Sequence, residues 1–442
     1  VVPPFRERQD SVPQAAKNRI LPKRAATVIP FLLFTALVAW LMSGAATFFQ
    51  WPVASDFAKF YASGRLLAEG QDIYAPVPLQ QYGPLPPAFH PTNHVLGSNL
   101  NPPAVTLVFL PFAMLSISSA LRAWAILSLG LALLSCALIW REMNPPPRQP
   151  AGLLWLFCGF LLYFPTFAAL QLGQLTVLTF FVLVVAWLAV KSEHEIVAGV
   201  LIGLALSIKL FIGRVVVYFL IRRRWRIVFW SSLIFAATII VGALAAGWDS
   251  YARFLSVLAS VNWYDSPLNA AIAGLTSRLF GGTGTTESLL HLPLVGRWLS
   301  YALTFISCLV LAWLTWPRTK ATENEVDALG LGVAFCFSLL ISPLGWSYYF
   351  PILLIAVYPT WKRSFYGSRW ARGLIISSVV ISAVPQLDVK LINLPGLATL
   401  VAVSGFIALV ACACGLAIAY RACQRQSAQE CAPMKDSTAY AD

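Results

Sequence analysis

One aspartate stands where a long apolar run gives way to polar sequence, in Ser55-Asp56-Phe57. A carboxylate at such a boundary can take the proton of a hydroxyl, the work of a general base. It can equally cap the first turn of a helix. Lys209 lies inside another apolar run. A cation there is costly and marks a functional site by default. Phosphate is the anion it suits, and snorkelling to headgroups is the alternative. In an unbroken helix it would lie about 20 Å from Arg222, too far to snorkel easily. Arg214 lies nearer Arg222 and is expected to snorkel. Gln174, in Gly173-Gln174, can hydrogen-bond a ligand's oxygens or glue two helices. Trp346, Tyr348 and Tyr349 can stack on a ligand or form an interfacial aromatic belt. Asp72 and Tyr74 read as turn residues with a possible acceptor contact, and Arg65 and Lys59 as attractors of phosphate.

Other constellations carry less. His90 and His94 are four apart, but Pro91 interrupts any helix between them and no carboxylate is close, so no metal is expected. Gly281-Gly282-Thr283-Gly284 lacks the strand-to-helix setting of a nucleotide loop, and no Walker or Rossmann motif appears.

The elements that must position these residues are set by composition. The chain has 442 residues, 58% hydrophobic and 11% charged. A soluble domain carries about 25% charged residues. Apolar runs recur from Thr27 to Tyr420 and are continuous rather than alternating. The expectation is an all-α, polytopic transmembrane helical bundle of about ten to thirteen spans. Residues 1–25 read as a disordered cytoplasmic arm, 26–421 as the membrane-embedded domain and 422–442 as a cytoplasmic tail. The first span covers Ala26 to Phe49, and no cleavable signal is evident. The net charge of +13 sits in short connectors. That suits membrane orientation and anionic lipid, and no nucleic acid is expected. Cys136, Cys158, Cys308, Cys336, Cys412 and Cys414 fall in apolar runs, with Cys423 and Cys431 in the polar tail, so no disulfide framework is read.

Lys and Arg crowd the proposed inner connectors, above all Arg222-Arg223-Arg224-Trp225-Arg226, and are sparse in the proposed outer ones. Both termini are therefore expected in the cytoplasm, with Asp56 delivered to the outer side. One conflict stands. If Ala104–Leu115 and Leu121–Trp140 both span, the arginines of Arg141–Gln149 fall outside, so one short run should be re-entrant or interfacial. After Asp56 an interfacial helix is expected, with Phe57, Phe60, Tyr61 and Leu67 near one face, followed by an irregular proline-rich stretch. The segment from Gly247 to Leu294 is read as a second interfacial or re-entrant region.

From Trp51 to Pro359 the chain resembles glycosyltransferase family 87, the alpha-mannosyltransferase-like membrane enzymes of the GT-C architecture. The resemblance rests on an ordered series. Ser55-Asp56-Phe57, Tyr61-Ala62-Ser63-Gly64 and Gly70-Gln71-Asp72-Ile73-Tyr74 look like the first-loop signature. Asn101-Pro102-Pro103 with Leu110-Pro111, Gly173-Gln174, and Ala198-Gly199 through Ile208-Lys209 follow. Ser342-Pro343-Leu344-Gly345-Trp346-Ser347-Tyr348-Tyr349 closes the series. Leu210-Phe211 stand where members often have proline and a polar residue. Tyr348-Tyr349 stand where mycobacterial members carry histidine.

The resemblance implies an inner-membrane enzyme that moves a hexose, mannose being the family's sugar, from a polyprenyl phosphate to a lipid or glycan acceptor on the outer face. It implies Asp56 as base, with inversion at the anomeric carbon; a fixed cation steadies the leaving phosphate without a metal, and no cofactor is expected. Lys209 and Arg65 are assigned to the donor phosphate. Tyr61, Asp72, Tyr74, Asn101, Gln174, Trp346, Tyr348 and Tyr349 are assigned to substrate. A transporter or flippase of lipid-linked sugars is the rival; it would show inverted repeats, and none is visible. A family member using an arabinofuranose-like pentose donor is the other alternative.

Overall fold

The computed structural model describes residues 25–47, 55–78, 95–96, 99–143, 150–281, 288–317, 324–357, 368–384 and 395–430. Most of the expected arm, both histidines of the His90/His94 pair, Gly282 to Gly284, and Cys431 with the end of the tail lie outside them. The regular structure is helical, apart from one short antiparallel ladder of β1 (Val77–Pro78) on β2 (Val95–Leu96), with Val77 opposite Leu96. In chain order the helices are α1 (Ala25–Thr47), α2 (Ser55–Ala68), α3 (Pro103–Ala113), α4 (Ile117–Met143), α5 (Pro150–Leu162), α6 (Phe164–Gln171), α7 (Thr176–Lys191) and α8 (Glu195–Ile208). They continue as α9 (Gly213–Ile221), α10 (Trp225–Ala246), α11 (Asp249–Ala259), α12 (Ile272–Phe280), α13 (Pro293–Thr315), α14 (Asn324–Ile341), α15 (Arg369–Ser382) and α16 (Pro395–Glu430).

The chain is a multi-pass membrane protein. Ile117–Glu142, Trp225–Ala246, Pro293–Thr315 and Leu400–Arg425 are each long and apolar enough to cross a bilayer. The pair α5 and α6, bent by 65°, forms a broken span or re-entrant loop. Pro165 explains the bend, because it lacks the N–H that would continue the ladder of α5. The other apolar runs form helices of 10–17 residues, among them α3, α7 and α8. At about 16 Å, α3 is half the thickness of the hydrocarbon core and cannot cross alone. That removes the orientation conflict created by counting Ala104–Leu115 as a span.

The helices divide into buried and lipid-facing sets. Phe180, Leu183, Val184 and Trp187 of α7 are all buried, as are Leu331 to Cys336 of α14 where apolar. A helix that is apolar all round belongs in such an interior. Gly199 and Gly203 let α8 press onto α10: a Cβ at either would meet Ile227, Trp230, Ser231 or Ile234 at 2.7–2.9 Å. Small residues four apart are a common device for close helix packing in membranes. By contrast α13 shows Trp298, Phe305, Leu309 and Trp313 outward. Trp298 and Trp316 bracket about 27 Å of it, close to the width of a bilayer core.

The bundle has two chemically different ends. At one end, Lys191 of α7 meets Glu142 of α4 at 2.6 Å. There too Arg224 meets Glu195 at 3.1 Å, and Arg222 and Arg224 meet Asp327 at 2.7 and 2.6 Å. Tyr420 of α16 is buried next to Tyr218 beside them, so the last long helix leaves the core here. α1 runs alongside α5 and α6, with Phe34 against Phe157 and Trp40 against Phe167. Its start therefore lies toward this same end. The helix α16 runs on to Glu430 rather than stopping near 421, and Cys423, placed by sequence in a polar tail, is buried. α7 carries the chain about 24 Å from this end to Gln174.

Candidate active site

The second end opens into a cavity of about 560 Å³, within the size range of small-molecule sites. Four charged side chains line it: Asp56, Lys59, Lys209 and Arg214. Asn101, Gln174, Trp346, Tyr348 and Tyr349 line it as well, with an apolar side that includes Phe254, Leu258, Val261, Trp263 and Leu344.

Asp56 sits in the first turn of α2. That helix is amphipathic as expected, but its apolar face meets protein rather than lipid. Phe57, Phe60 and Tyr61 pack with Phe109 of α3 and Trp124 of α4. The approach to α6 is closer still. The N–H of Phe57 donates to the carbonyl of Leu172 at 3.2 Å. Gly173 follows at φ +65°, and a Cβ there would meet the Phe57 Cβ at 2.6 Å. Both the backbone conformation and the contact demand glycine. Trp124 Nε1 donates to the Gly173 carbonyl at 2.9 Å and fixes the turn. The next residue, Gln174, then donates through Nε2 to Asp56 Oδ2, and more weakly to the Tyr348 hydroxyl at 3.4 Å. Lys59 reaches Asp56 Oδ1 at 3.2 Å. The Gly-Gln pair thus serves first to seat a carboxylate.

Lys209 is not within a continuous helix. The expected Ile196–Ile221 helix ends at Ile208; Lys209 is extended (φ −139°, ψ 107°), and a 3-10 turn over Leu210–Ile212 leads into α9. Irregular backbone among membrane helices is tolerated where it lines a cavity, and Lys209, Leu210 and Phe211 do so. Lys209 Nζ donates to Asn101 Oδ1 at 2.8 Å and lies 5.4 Å from the centroid of the Tyr349 ring. Its hydrogen-bond partner is therefore neutral. Arg214 belongs to the same broken segment. Instead of reaching toward the basic end, it lines the cavity, which corrects the snorkelling expectation.

The first loop holds this arrangement from behind. Tyr74 donates to the Asn101 carbonyl at 2.6 Å. Asn101 donates through both its backbone N–H and its Nδ2 to Asn99 Oδ1, and Asn99 donates to Ser63 Oγ. Ser63 in turn donates to the Ile73 carbonyl at 2.8 Å. Burial holds the Tyr74 phenol well above its usual pKa, reinforced by Tyr251 and Asp72, so it remains a neutral donor. Asp72 accepts from the Tyr74 N–H at 3.1 Å and from Arg253 of α11 at 2.6 Å. Tyr61 donates to the Leu115 carbonyl, and Arg65 to the Ala113 carbonyl and to Glu69. Tyr61, Arg65, Asp72 and Tyr74 are not among the residues lining the cavity. Arg65 is nine residues from Asp56, about 14 Å along α2.

One positioning residue escaped the sequence reading. Asn269 is fully buried in the loop before α12. Its Nδ2 donates to the carbonyls of Tyr264 and Pro343, and its Oδ1 accepts from the N–H groups of Ala271 and Gly345. A bridge between Asn269 and Trp346 completes the join. Trp346, Tyr348 and Tyr349 are thereby presented as one wall, with Trp346 and Tyr348 stacked 5.7 Å apart. Arg278 braces the same loop through the Ser266 and Asn269 carbonyls. Burial lowers its pKa to about 10, while Asp265 acts the other way. An asparagine beside a weakly apolar stretch was the available signal. Among the described residues no three His, Cys, Asp or Glu side chains converge as a metal site would need.

The fold and the cavity define a membrane-embedded protein in which a seated carboxylate and a held lysine line one cavity. The model of glycosyltransferase family 87 matches residues 99–343, more than half of the chain, and the chain belongs to that family. It is a membrane glycosyltransferase. It is 25% identical over 353 residues, 73% of this chain and 76% of the relative, to a polyprenol-phosphate-mannose-dependent alpha-(1-2)-phosphatidylinositol mannoside mannosyltransferase of Mycobacterium tuberculosis. It is 27% identical over 257 residues, 57% of this chain and 58% of the relative, to the corresponding phosphatidylinositol pentamannoside enzyme of Mycolicibacterium smegmatis. A mannoside mannosyltransferase of the latter organism is 23% identical over 78% of this chain and 77% of its own length. No solved structure is a significant match.

Proposed function

We propose that the protein transfers a hexose, mannose first among them, from a polyprenyl phosphate to the hydroxyl of a lipid or glycan acceptor. One observation carries the reading. Asp56 is oriented by Gln174 and Lys59 at the rim of a cavity that also holds Lys209 on a neutral partner. Asp56 takes the proton of the acceptor hydroxyl as it attacks the anomeric carbon. The phosphate leaves from the opposite face, so the configuration inverts. Lys209 holds that phosphate, and a fixed cation there needs no reorganisation as charge develops. Gln174, Trp346, Tyr348 and Tyr349 form the wall for the sugar, and Asn101 aims the lysine. The names of the relatives support mannose and a polyprenyl phosphate as donor. The apolar side of the cavity suits the first units of a prenyl chain.

The basic end of the bundle faces the cytoplasm in this reading, with both termini on that side. The cavity then faces outward. The test is transfer in vesicles. Purified protein is given labelled polyprenyl-phosphate mannose, glucose or a pentose, together with extracted membrane lipid. Label should move to a lipid product from the mannose donor. Movement of intact donor across the bilayer with no product formed would instead identify a flippase.

A further inference from the structure

We propose that Arg214 is a second phosphate cation in the cavity, and that it takes up the charge the phosphate gains as the sugar leaves. The proposal rests on the donor assignment above and deepens it. Arg214 is partly buried in the first turn of α9 and lines the cavity. Among the described residues it makes no hydrogen bond or ion pair. Every other charged lining residue is engaged: Lys59 and Asp56 with each other, Lys209 with Asn101. Among the described residues Asp56 is the single acid beside three cations, so their charged lining sums to a formal +2.

That excess fits the product better than the substrate. A phosphodiester donor carries one negative charge. During transfer the bond from acceptor oxygen to anomeric carbon forms, and the acceptor proton passes to Asp56. The bond from anomeric carbon to phosphate oxygen breaks, its electron pair staying on the phosphate. The resulting monoester carries about 1.5–2 negative charges at neutral pH. One cation matches the donor, and a second is called on only as the bond breaks. Interactions that strengthen in the transition state raise turnover rather than affinity. A planar guanidinium can also hold two phosphate oxygens at once.

The α8–α9 break is what permits this. In a straight helix, positions five apart point in different directions and lie about 7–8 Å apart along the axis. The extended Lys209 and the 3-10 turn after it redirect the chain, and both cations come to line one cavity.

The test compares Arg214→Gln and Arg214→Lys with wild type in vesicles, reading kcat, donor KM, acceptor KM and inhibition by polyprenyl monophosphate. Arg214→Gln should lower kcat by about 100-fold, with donor KM changed only about twofold. Inhibition by the monophosphate should weaken by about tenfold, and Arg214→Lys should recover part of both. The thermal shift produced by polyprenyl monophosphate alone, measured without turnover, should shrink in Arg214→Gln. Wild-type kcat and monophosphate binding in Arg214→Gln would overturn the proposal. So would a defect confined to acceptor KM, which would put an acceptor phosphate at Arg214. So would a defect that appears or vanishes only with the anionic phospholipid content, the mark of headgroup contact. Wild-type protein that binds polyprenyl monophosphate through Arg214 but transfers nothing would sink the transferase reading while leaving the cation assignment standing.

Discussion

The two ends of the bundle hold the same kinds of side chains and do opposite things with them. At the basic end, Asp327 is completely buried and takes one guanidinium nitrogen on each carboxylate oxygen, from Arg222 and Arg224. Glu195 takes a further Arg224 nitrogen. At the cavity end, among the described residues, Asp56 has a single ion pair and an amide, Lys209 rests on an uncharged oxygen, and Arg214 makes no hydrogen bond or ion pair. The first arrangement is closed: two acids meet two guanidinium groups, and Asp327 is fully buried. The second is open, with surplus positive charge and a cavity beside it. Burial and charge alone do not mark a working site. The informative features are the mismatch and the space.

That contrast yields predictions of falling size. Asp56→Asn keeps the shape of the cavity end but removes the proton acceptor. Turnover should drop about 10²–10⁴-fold with donor binding retained, read from single-turnover transfer and a donor-binding assay. Retained turnover would remove Asp56 as base. Asp327→Ala should do the reverse, costing about 3–5 kcal/mol of stability because buried Arg222 loses its carboxylate and half-buried Arg224 loses one of two. The thermal midpoint should fall, with donor KM of the surviving protein unchanged; a large KM effect would show that the closed end reaches the chemistry. Lys209→Ala should raise donor KM about 10–100-fold, since a hydrogen bond to a charged group is worth about 1.5–3 kcal/mol. Equal donor KM in wild type and variant would reassign the phosphate. Smallest is Asp72→Asn, which breaks a half-exposed pair with Arg253. It should cost under about 1 kcal/mol and leave turnover intact, unless the first-loop turn touches substrate.

Much of this was legible in the sequence, and for a physical reason. A charge or amide within an apolar run or at its very edge is expensive wherever the chain folds, so Gln174, Lys209 and Asp56 stand out without any structure. The all-helical membrane fold followed from the same solvent argument. The illegible parts depend on distant pairing. Arg222 and Arg224 looked like a solvated orientation signal, because nothing local shows Asp327 arriving from a hundred residues away. Arg214 looked like a snorkelling arginine because the helix was assumed to continue through Lys209. The first-loop residues Tyr61, Arg65, Asp72 and Tyr74 were assigned to ligand. In the fold they brace helix ends and, through Asn101, the lysine. Asn269 went unnoticed because its four partners come from both sides of a gap of about seventy residues.

The outward-facing α13 has a consequence of its own. With tryptophans near both ends and almost nothing but hydrocarbon-seeking side chains between them, it acts as a gauge for the surrounding lipid. Acyl chains shorter or longer than that gauge would tilt it, and α12, packed against its first turns, would follow. Since α12 begins just after Asn269, membrane thickness becomes a lever on the aromatic wall of the cavity, and one protein could run at different speeds in different lipid mixtures.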